Sequence, residues 1–235
     1  MAASIRQVLS DTASSRPDDI WLVTPETKTS FSWKETDQRA ETIACYLQGA
    51  GLSEGASVAI AAPNGAAASF AFLGIVYAGF RATPLNLVAG VKTLSFVLNH
   101  SKTEMILCAD DSRALVNNAI AGLVEKGKTA PHIISMDIDD GPRWAETKIT
   151  PVKPIELHAP SANTIGLLMY TSGTTGVPKG VLLSHANLIA AGANVMDAHK
   201  LTRADAGMCI LPIYHINGLC VTVMGTLVSS SSLVM

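Results

Sequence analysis

The sequence has few charged residues and no excess of either sign. Charged side chains make up 15% of the 235 residues, and the formal net charge is −2. A chain without a basic surplus lacks the electrostatic footprint of a protein that binds nucleic acid or an anionic membrane surface. Apolar residues make up 48%. This share excludes intrinsic disorder and can build the core of one large domain or two small ones.

Patterns for metal binding and for disulfides are also missing. The six histidines are dispersed without an HxxxH pair, and the cysteines have no CxxC spacing. We therefore expect no zinc site and no disulfide framework. Reduced, buried thiols are expected at the four cysteines, Cys45, Cys108, Cys209 and Cys220.

The patterns typical of a secretory leader and of a membrane span are not expected in this sequence. The N-terminal stretch MAASIRQVLSDTASSRPDD has no long apolar core and carries an early Asp. Residues 63–80 are uncharged but rich in Ala, Gly and Ser, which favours a helix buried in protein. Residues 206–235 are also uncharged, but Pro212, His215, Asn217 and a run of serines interrupt them. We expect buried strand and helix segments there, with a β-prone run at the end.

Strand and helix patterns alternate along the first 138 residues. Residues 20–33 indicate a hairpin, and Ser32 with Glu35 has the spacing of a capping box at the start of a helix. The segments ASVAIAA, EMILCAD and PHIISMD are typical of buried strands, and the segments between them have helical spacing. This alternation predicts an α/β fold with a doubly wound, mostly parallel sheet and helices on both faces.

Residues 170–180, YTSGTTGVPKG, combine flexible backbone, hydroxyl groups and one fixed positive charge. They hold three Gly, three Thr, one Ser and one Lys, and no carboxylate. Glycines allow consecutive N–H groups to converge on an anion, and the hydroxyls and Lys179 add donors. Apolar, β-like residues flank the loop on both sides. We therefore predict a phosphate-binding loop within a β-hairpin, followed by a helix capped by Ser184.

The composition of this loop also allows two other interpretations, a P-loop and an ordinary turn. The P-loop pattern of NTPases does not match, because Lys179 lies three residues after Gly176 and Gly180 replaces the Ser or Thr that holds magnesium. A kinase or P-loop NTPase is therefore rejected. An ordinary Gly/Thr turn is the other alternative, and the density of donors beside a lysine favours phosphate binding over it.

The loop resembles the signature [YF]-[ST]-S-G-[ST]-T-G-x-P-K-G of the adenylate-forming superfamily at every defined position. SHANL (184–188) and LPIYHINGL (211–219) resemble two further segments of that family. Residues 58–84 look like its first nucleotide-domain unit. The resemblance runs from about residue 5 to 235 and favours the acyl-CoA synthetase branch, because Tyr214-His215 stands where peptide-synthetase domains usually carry Phe-Asp.

The resemblance implies an acid–CoA ligase. Such enzymes use ATP and Mg²⁺ to convert a small carboxylic acid to an acyl-adenylate, with release of pyrophosphate, and then form a thioester with CoA. Short-chain, dicarboxylic, aromatic and fatty acids all stay open as substrates. The expected partners are thus the acid, ATP and CoA, with no nucleic acid and no transmembrane span.

The resemblance also assigns roles to individual residues. Lys179 and His215 are the catalytic candidates, with a structural histidine as the alternative for His215. Thr171 and Thr175 are the candidate Mg²⁺ ligands. The cradle for the ATP phosphates is expected from Thr171, Ser172, Gly173, Thr174, Thr175, Gly176 and Lys179. The border of the acid site is expected from His215, Asn217, Gly218 and Val221.

Later motifs of the family do not occur in these 235 residues. They include the Glu that holds magnesium, the Asp that grips the ribose and the Lys of the C-terminal domain. We therefore expect an incomplete N-terminal AMP-binding domain, without the C-terminal domain. Its predicted parts are a first α/β unit (1–138), a linking loop (139–163), and the phosphate-loop segment with the start of the acyl pocket (164–235).

Two functions follow from this expectation. One is the N-terminal part of a ligase that is inactive as this chain alone. The other is a non-catalytic short form that binds nucleotide weakly or binds a protein partner. A cytoplasmic location is expected, and a peroxisomal location stays an open alternative.

Overall fold

The computed structural model describes residues 3–171 and 178–235. Its α-helices are α1 (Ile5–Ser15), α2 (Trp33–Gly49), α3 (Ala66–Tyr77), α4 (Val91–His100), α5 (Arg113–Val124), α6 (His185–His199) and α7 (Met224–Ser229), and a π-helix covers Asn217–Val223. Its strands are β1 (Ile20–Thr24), β2 (Thr29–Ser32), β3 (Ser57–Ala61), β4 (Arg81–Pro84), β5 (Thr103–Ala109), β6 (His132–Asp137), β7 (Gly141–Pro142), β8 (Ile165–Thr171), β9 (Lys179–Ser184), β10 (Ala206–Met208) and β11 (Ser232–Val234).

The larger of the two sheets among the described residues has seven strands. Their order is β7-β6-β5-β3-β4-β8-β9. The five inner strands run parallel, and the edge strands β7 and β9 are antiparallel to their neighbours. The chain passes from β3 to β4 on one side and then returns to β5 on the other side of β3. The predicted doubly wound, mostly parallel sheet is therefore confirmed.

The inner strands bury both of their faces. In β3, Val58 and Ile60 belong to the core that includes α2 and α3, whereas Ala59 and Ala61 belong to the core beneath α4 and α5. Successive side chains of a strand point to opposite faces, so a strand between two helical layers is apolar throughout. This burial on both faces explains why ASVAIAA is a short, continuous apolar run.

Helix α3 lies in the interior of the protein. Every residue from Ala66 to Tyr77 is buried, which is typical of a helix surrounded by other elements. No helix in the described part of the chain combines the length and the apolar character that a bilayer crossing requires. The prediction of a buried helix over residues 63–80 is confirmed.

A second sheet joins the two ends of the sequence. Its order is β10-β11-β1-β2, and β1 pairs in parallel with β11 through Leu22 and Leu233. The antiparallel β1–β2 pair confirms the predicted hairpin. Sequence patterns did not predict its pairing with residues from the far end of the chain.

Two helix starts follow from local capping. The Ser32 hydroxyl accepts a hydrogen bond from the Glu35 backbone N–H at 3.2 Å, and the Glu35 carboxylate accepts one from Ser32 N–H at 2.8 Å. Ser184 and Asn187 form the same reciprocal arrangement at the start of α6. Both predicted caps are confirmed, because a capping box depends only on residues three positions apart.

Two local predictions need correction. The run from Leu219 to Val228 looks β-prone, but it forms the π-helix and α7, and a strand forms only at Ser232–Val234. Packing against α6 overrides the β propensity of its Val and Thr residues. Helix α1 was not predicted at all, although Ser4 caps it by accepting a hydrogen bond from Gln7 N–H.

Residues 139–163 contain little regular structure. They hold the two-residue strand β7 and short 3₁₀ helices at Trp144–Glu146 and Pro154–Glu156. Strand β8 then enters the larger sheet beside β4, so residues from both sides of this segment share one sheet. The division of the chain at residues 139–163 stays a prediction.

Candidate functional site: the carboxyl edge of the parallel sheet

The predicted phosphate loop connects strands β8 and β9. These strands pair antiparallel, with Thr171 directly opposite Lys179. Both residues are exposed, and directly opposed residues of an antiparallel pair project from the same face. The predicted residues Ser172, Gly173, Thr174, Thr175 and Gly176 lie outside the described residues. The hairpin on which they depend is confirmed.

Tyr170 anchors the first stem of this hairpin. Its hydroxyl and His100 Nδ1 are 2.8 Å apart, and the two rings meet edge-on with centroids 5.7 Å apart. Gly180 lies directly opposite, and a Cβ at Gly180 would be 3.4 Å from the Tyr170 ring. Burial raises the pKa of the Tyr170 phenol, so the hydroxyl stays protonated. Sequence reasoning missed His100, because it lies 70 residues away.

A cleft of about 260 Å³ lies beside the hairpin stems. It is lined in part by Asn86 and Thr93, by Thr171 and Pro178 from the stems, and by Tyr214. It lies beyond Pro84, the last residue of β4, at the carboxyl edge of the parallel strands. Ligands of doubly wound sheets bind at such an edge. The cleft brings the YTSGTTGVPKG motif and the LPIYHINGL motif together.

His215 adjoins a residue that lines this cleft but is not itself among the lining residues. It follows Tyr214 directly, and its side chain is exposed. The backbone N–H of Asn217 donates to His215 Nδ1 at 3.3 Å. In the neutral ring, Nε2 then carries the proton.

The remaining acid-site candidates lie on the π-helix. Asn217 and Val221 are exposed, as His215 is, whereas Gly218 is buried. A Cβ at Gly218 would lie 2.4 Å from the carbonyl oxygen of Pro212. Gly218 thus permits close approach of backbone segments. π-helical turns occur often at functional sites, and this one directs Asn217 and Val221 outward.

His185 and Asn187 follow the hairpin but brace other elements. His185 is buried, and its Nδ1 accepts a hydrogen bond from Ile5 N–H at 3.0 Å, which ties α6 to the start of α1. Burial lowers the pKa of His185 to about 4, so the ring is neutral and can accept this bond. Asn187 completes the cap of α6.

The thiols take no part in the site. All four cysteines are buried and free. Burial raises the pKa of Cys108, Cys209 and Cys220 to about 11. A protonated thiol is a poor nucleophile and a poor metal ligand, so these residues are packing elements.

A magnesium ion held mainly by phosphate would need few protein ligands. Within residues 3–171 and 178–235, no three His, Cys, Asp or Glu side chains form a group that could hold a metal. Mg²⁺ in nucleotide sites usually keeps several waters and takes few protein oxygens besides the phosphates. The exposed hydroxyl of Thr171 fits one such position, and Thr175 lies outside the described residues.

Comparison with known proteins identifies the family. Residues 9–235 match the family of AMP-binding enzymes. The chain belongs to this family. A sulfoacetate–CoA ligase of Cupriavidus necator is 36% identical over 222 residues, which cover 93% of this chain and 42% of the ligase. The chain thus spans less than half the length of this AMP-binding relative.

Solved structures of the family share the fold. ATP-bound MatB from Rhodopseudomonas palustris superposes with a TM-score of 0.83 and 25% identity, over all of this chain and 45% of that one. The N-terminal domain of FACL13 from Mycobacterium tuberculosis gives a TM-score of 0.82 at 23% identity and is covered over 57% of its length. The fold is that of the N-terminal domain of adenylate-forming CoA ligases.

Proposed function

We propose that the protein acts in the ATP-dependent activation of a carboxylic acid. The acid becomes an acyl-adenylate with release of pyrophosphate, and the acyl group then passes to the thiol of CoA. One observation carries the proposal: the stems of the phosphate loop and Tyr214, the residue before His215, border a single cleft at the carboxyl edge of the sheet. Membership of the AMP-binding family and the likeness to a sulfoacetate–CoA ligase support it.

The proposed chemistry is an in-line attack of the carboxylate on the α-phosphate. Catalysis then depends on positioning and on neutralising charge. Lys179, held opposite Thr171 by the strand register, supplies a positive charge to the β- and γ-phosphates. The hydroxyls and N–H groups of residues 171–176 supply hydrogen bonds to them. Mg²⁺ would neutralise phosphate charge, with Thr171 and Thr175 as its protein oxygens.

His215 is proposed to act where the acid meets the adenylate. With Nδ1 accepting from Asn217 N–H, its Nε2–H is the donor available to an oxygen of the acid or of the adenylate. Asn217 and Val221 would border the acid from the π-helix. Gly218 would contribute by shaping that helix, because it is buried against Pro212.

We further propose that residues 1–235 alone do not complete the reaction. The Glu, Asp and Lys of the family's later motifs have no counterpart in this sequence. The alternative is a non-catalytic form that binds nucleotide weakly or binds a protein partner. The proposed location is cytoplasmic, with a peroxisomal one as the alternative.

ATP–pyrophosphate exchange tests the proposal. The chain would be assayed with Mg²⁺ and a panel of sulfoacetate, oxalate, a fatty acid and an aromatic acid. A chimera would be assayed in parallel, with residues 1–235 replacing the matching portion of the sulfoacetate–CoA ligase. We expect acid-dependent exchange by the chimera and none by the chain alone. A folded chimera without exchange for any acid would contradict the proposed activity.

A further inference from the structure

The side chain of Asn64 holds together two segments of the site that lie far apart in sequence. Asn64 follows β3 in the turn before α3. Its Nδ2 donates to the carbonyl oxygens of Cys209 at 3.1 Å and Leu211 at 2.9 Å. Its Oδ1 accepts from the backbone N–H of Ile213 at 3.0 Å. One carboxamide therefore uses both its donor and its acceptor on the segment that leads into Tyr214 and His215.

Other contacts hold the two ends of this segment. The Cys209 N–H donates to Val234 O at 2.8 Å, which attaches one end to β11. At the other end, His215 N–H donates to Pro212 O at 2.9 Å within the same turn. Ile210 and Leu211 are exposed, whereas Cys209 and Ile213 on either side of them are buried in the core. Asn64 adds three hydrogen bonds that tie the backbone of residues 209–213, including the exposed Leu211, to the turn after β3 at the carboxyl edge of the parallel sheet.

We infer that Asn64 is a positioning residue for His215. By fixing the backbone from Cys209 to Ile213, it sets the place of Tyr214 and His215 relative to the hairpin stems across the cleft. The inference rests on the proposed function of His215. Asn64 itself does not line the cleft beside the hairpin, so it acts through the backbone.

The chain offers a matched control in Gln48. Its Nε2 donates to the carbonyl oxygens of Ala78 at 2.8 Å and His158 at 3.1 Å, and its Oε1 accepts from His158 N–H at 3.1 Å. Like Asn64, it is half-buried and makes three side-chain bonds to backbone. Ala78 follows the C-terminus of α3, whereas Asn64 precedes its N-terminus. The 12 residues of α3, about 18 Å of helix, thus separate the two places at which these amides bind backbone.

Hydrogen exchange tests the structural part on the chain itself. We expect Asn64→Ala to accelerate exchange of the Ile213 amide about 10-fold or more, because its acceptor is lost. Gln48→Ala should leave Ile213 unchanged and accelerate the His158 amide instead. The Arg81 amide, which donates to Ala56 O at 2.9 Å outside this segment, serves as an internal reference. Unchanged protection of Ile213 in a folded Asn64→Ala variant would overturn the inference.

Kinetics test the functional part, in whichever form shows exchange, the chain or the chimera. At Asn64→Ala we expect kcat for adenylation to fall roughly 10- to 100-fold and KM for the acid to rise, with KM for ATP unchanged. Gln48→Ala should leave both KM values unchanged. Asn64→Asp keeps the acceptor but places a carboxylate oxygen against two carbonyls, and should be as slow as Asn64→Ala.

The outcomes separate this inference from the proposed function. Equal effects of Asn64→Ala and Gln48→Ala on kcat and on KM for the acid would overturn the role of Asn64. A parent protein without exchange for any acid would instead contradict the proposed function, and the amide exchange of Ile213 would still decide whether Asn64 holds the segment.

Discussion

At the scale of single residues, the site depends on side chains that stand at the ends of strands and turns. Thr171 is the last residue of β8, and Lys179 is the first residue of β9. Asn64 follows β3, and His215 precedes the π-helix. A neighbouring strand or helix fixes the backbone of each residue, and the side chain then extends from the end of that element. The exposed residues among them, Thr171, Lys179 and His215, can be replaced with little loss of stability, which makes their function testable.

The first prediction concerns the charge of Lys179. Lys179→Ala should weaken binding of Mg·ATP about 10-fold or more, because a charge-assisted hydrogen bond contributes roughly 1.5–3 kcal/mol. Isothermal titration of the chain would measure this. Since Lys179 is exposed, the free energy of unfolding should change by less than about 0.5 kcal/mol. Lys34→Ala on α2 is the control, and a large loss of thermal stability at Lys179→Ala would count against the assignment.

The second prediction concerns His215. His215→Ala should lower the rate of adenylate formation roughly 100-fold and change the affinity for ATP by less than about twofold, because its donor is proposed to act at the acid and the adenylate. Exchange kinetics of the active form would separate the two quantities. His132→Ala, at an exposed position on β6, is the control. An unchanged rate would assign His215 a structural role.

At the scale of elements, α1 and α6 are joined through one buried histidine. In the sequence, His185 stands only as part of the SHANL segment, and no neighbouring residue indicates its partner. Its partner is the backbone of Ile5, 180 residues away, and such a contact produces no local pattern. Helix α1 has a weak local signal, since Ile5 and Leu9 are its only large buried apolar residues. The Ser4 cap was the feature that could have revealed it.

The third prediction is a pH dependence of stability caused by His185. Burial lowers its folded-state pKa from 6.5 to about 4, so between these pH values the unfolded chain binds more protons. Stability should be fully present above about pH 6.5 and decrease as the pH falls to about 4, by at most on the order of 3 kcal/mol.

Urea unfolding between pH 4 and 8 would measure this loss. The lowered pKa values of the Glu35, Asp110 and Asp205 carboxyls affect stability below their ordinary values of 4.5 and 3.8, outside most of this window. Burial raises the pKa of the Asp37 carboxyl above its ordinary value of 3.8; this group acts in the opposite direction and stays the same in the control variant. His185→Gln removes the titrating group and should flatten the profile. An equally steep profile in that variant would assign the effect to other groups.

At the scale of the whole molecule, helix α3 packs against strands of both sheets. The smaller sheet joins β1 to β11 through Leu22 and Leu233, both fully buried. Trp21 and Trp33 pack with ring centroids 5.6 Å apart beneath this sheet. The first and last parts of the sequence therefore belong to one core.

The fourth prediction tests whether the first and last parts of the sequence unfold together as one core. Leu233→Ala should cost about 2–5 kcal/mol of unfolding free energy, because it leaves a cavity in a fully buried position. Tryptophan fluorescence and far-UV circular dichroism should report one coincident transition, since Trp21 neighbours Leu22. Val124→Ala, at a half-exposed position on α5, is the control. Separate transitions would show that the smaller sheet unfolds independently.

The sequence by itself determined the features that rest on neighbouring residues. The capping boxes at Ser32 and Ser184, the β1–β2 hairpin, the strand–helix alternation and the hairpin around YTSGTTGVPKG all depend on spacings of a few positions. Propensity, periodicity and capping depend on residues within that range. A sequence motif is also recognised from residues that lie close together in the chain.

Only the tertiary structure decided which distant residues meet. Four contacts join positions that lie 70 to 211 residues apart in the sequence. They are the pairing of β1 with β11, the hydrogen bond from Ile5 to His185, the contact of His100 with Tyr170, and the hydrogen bonds of Asn64 to residues 209–213. The helical state of residues 219–228 also came from packing against α6, which overrode their β propensity. Such contacts form because the folded chain buries apolar surface cooperatively, and they leave no periodic signature in the sequence.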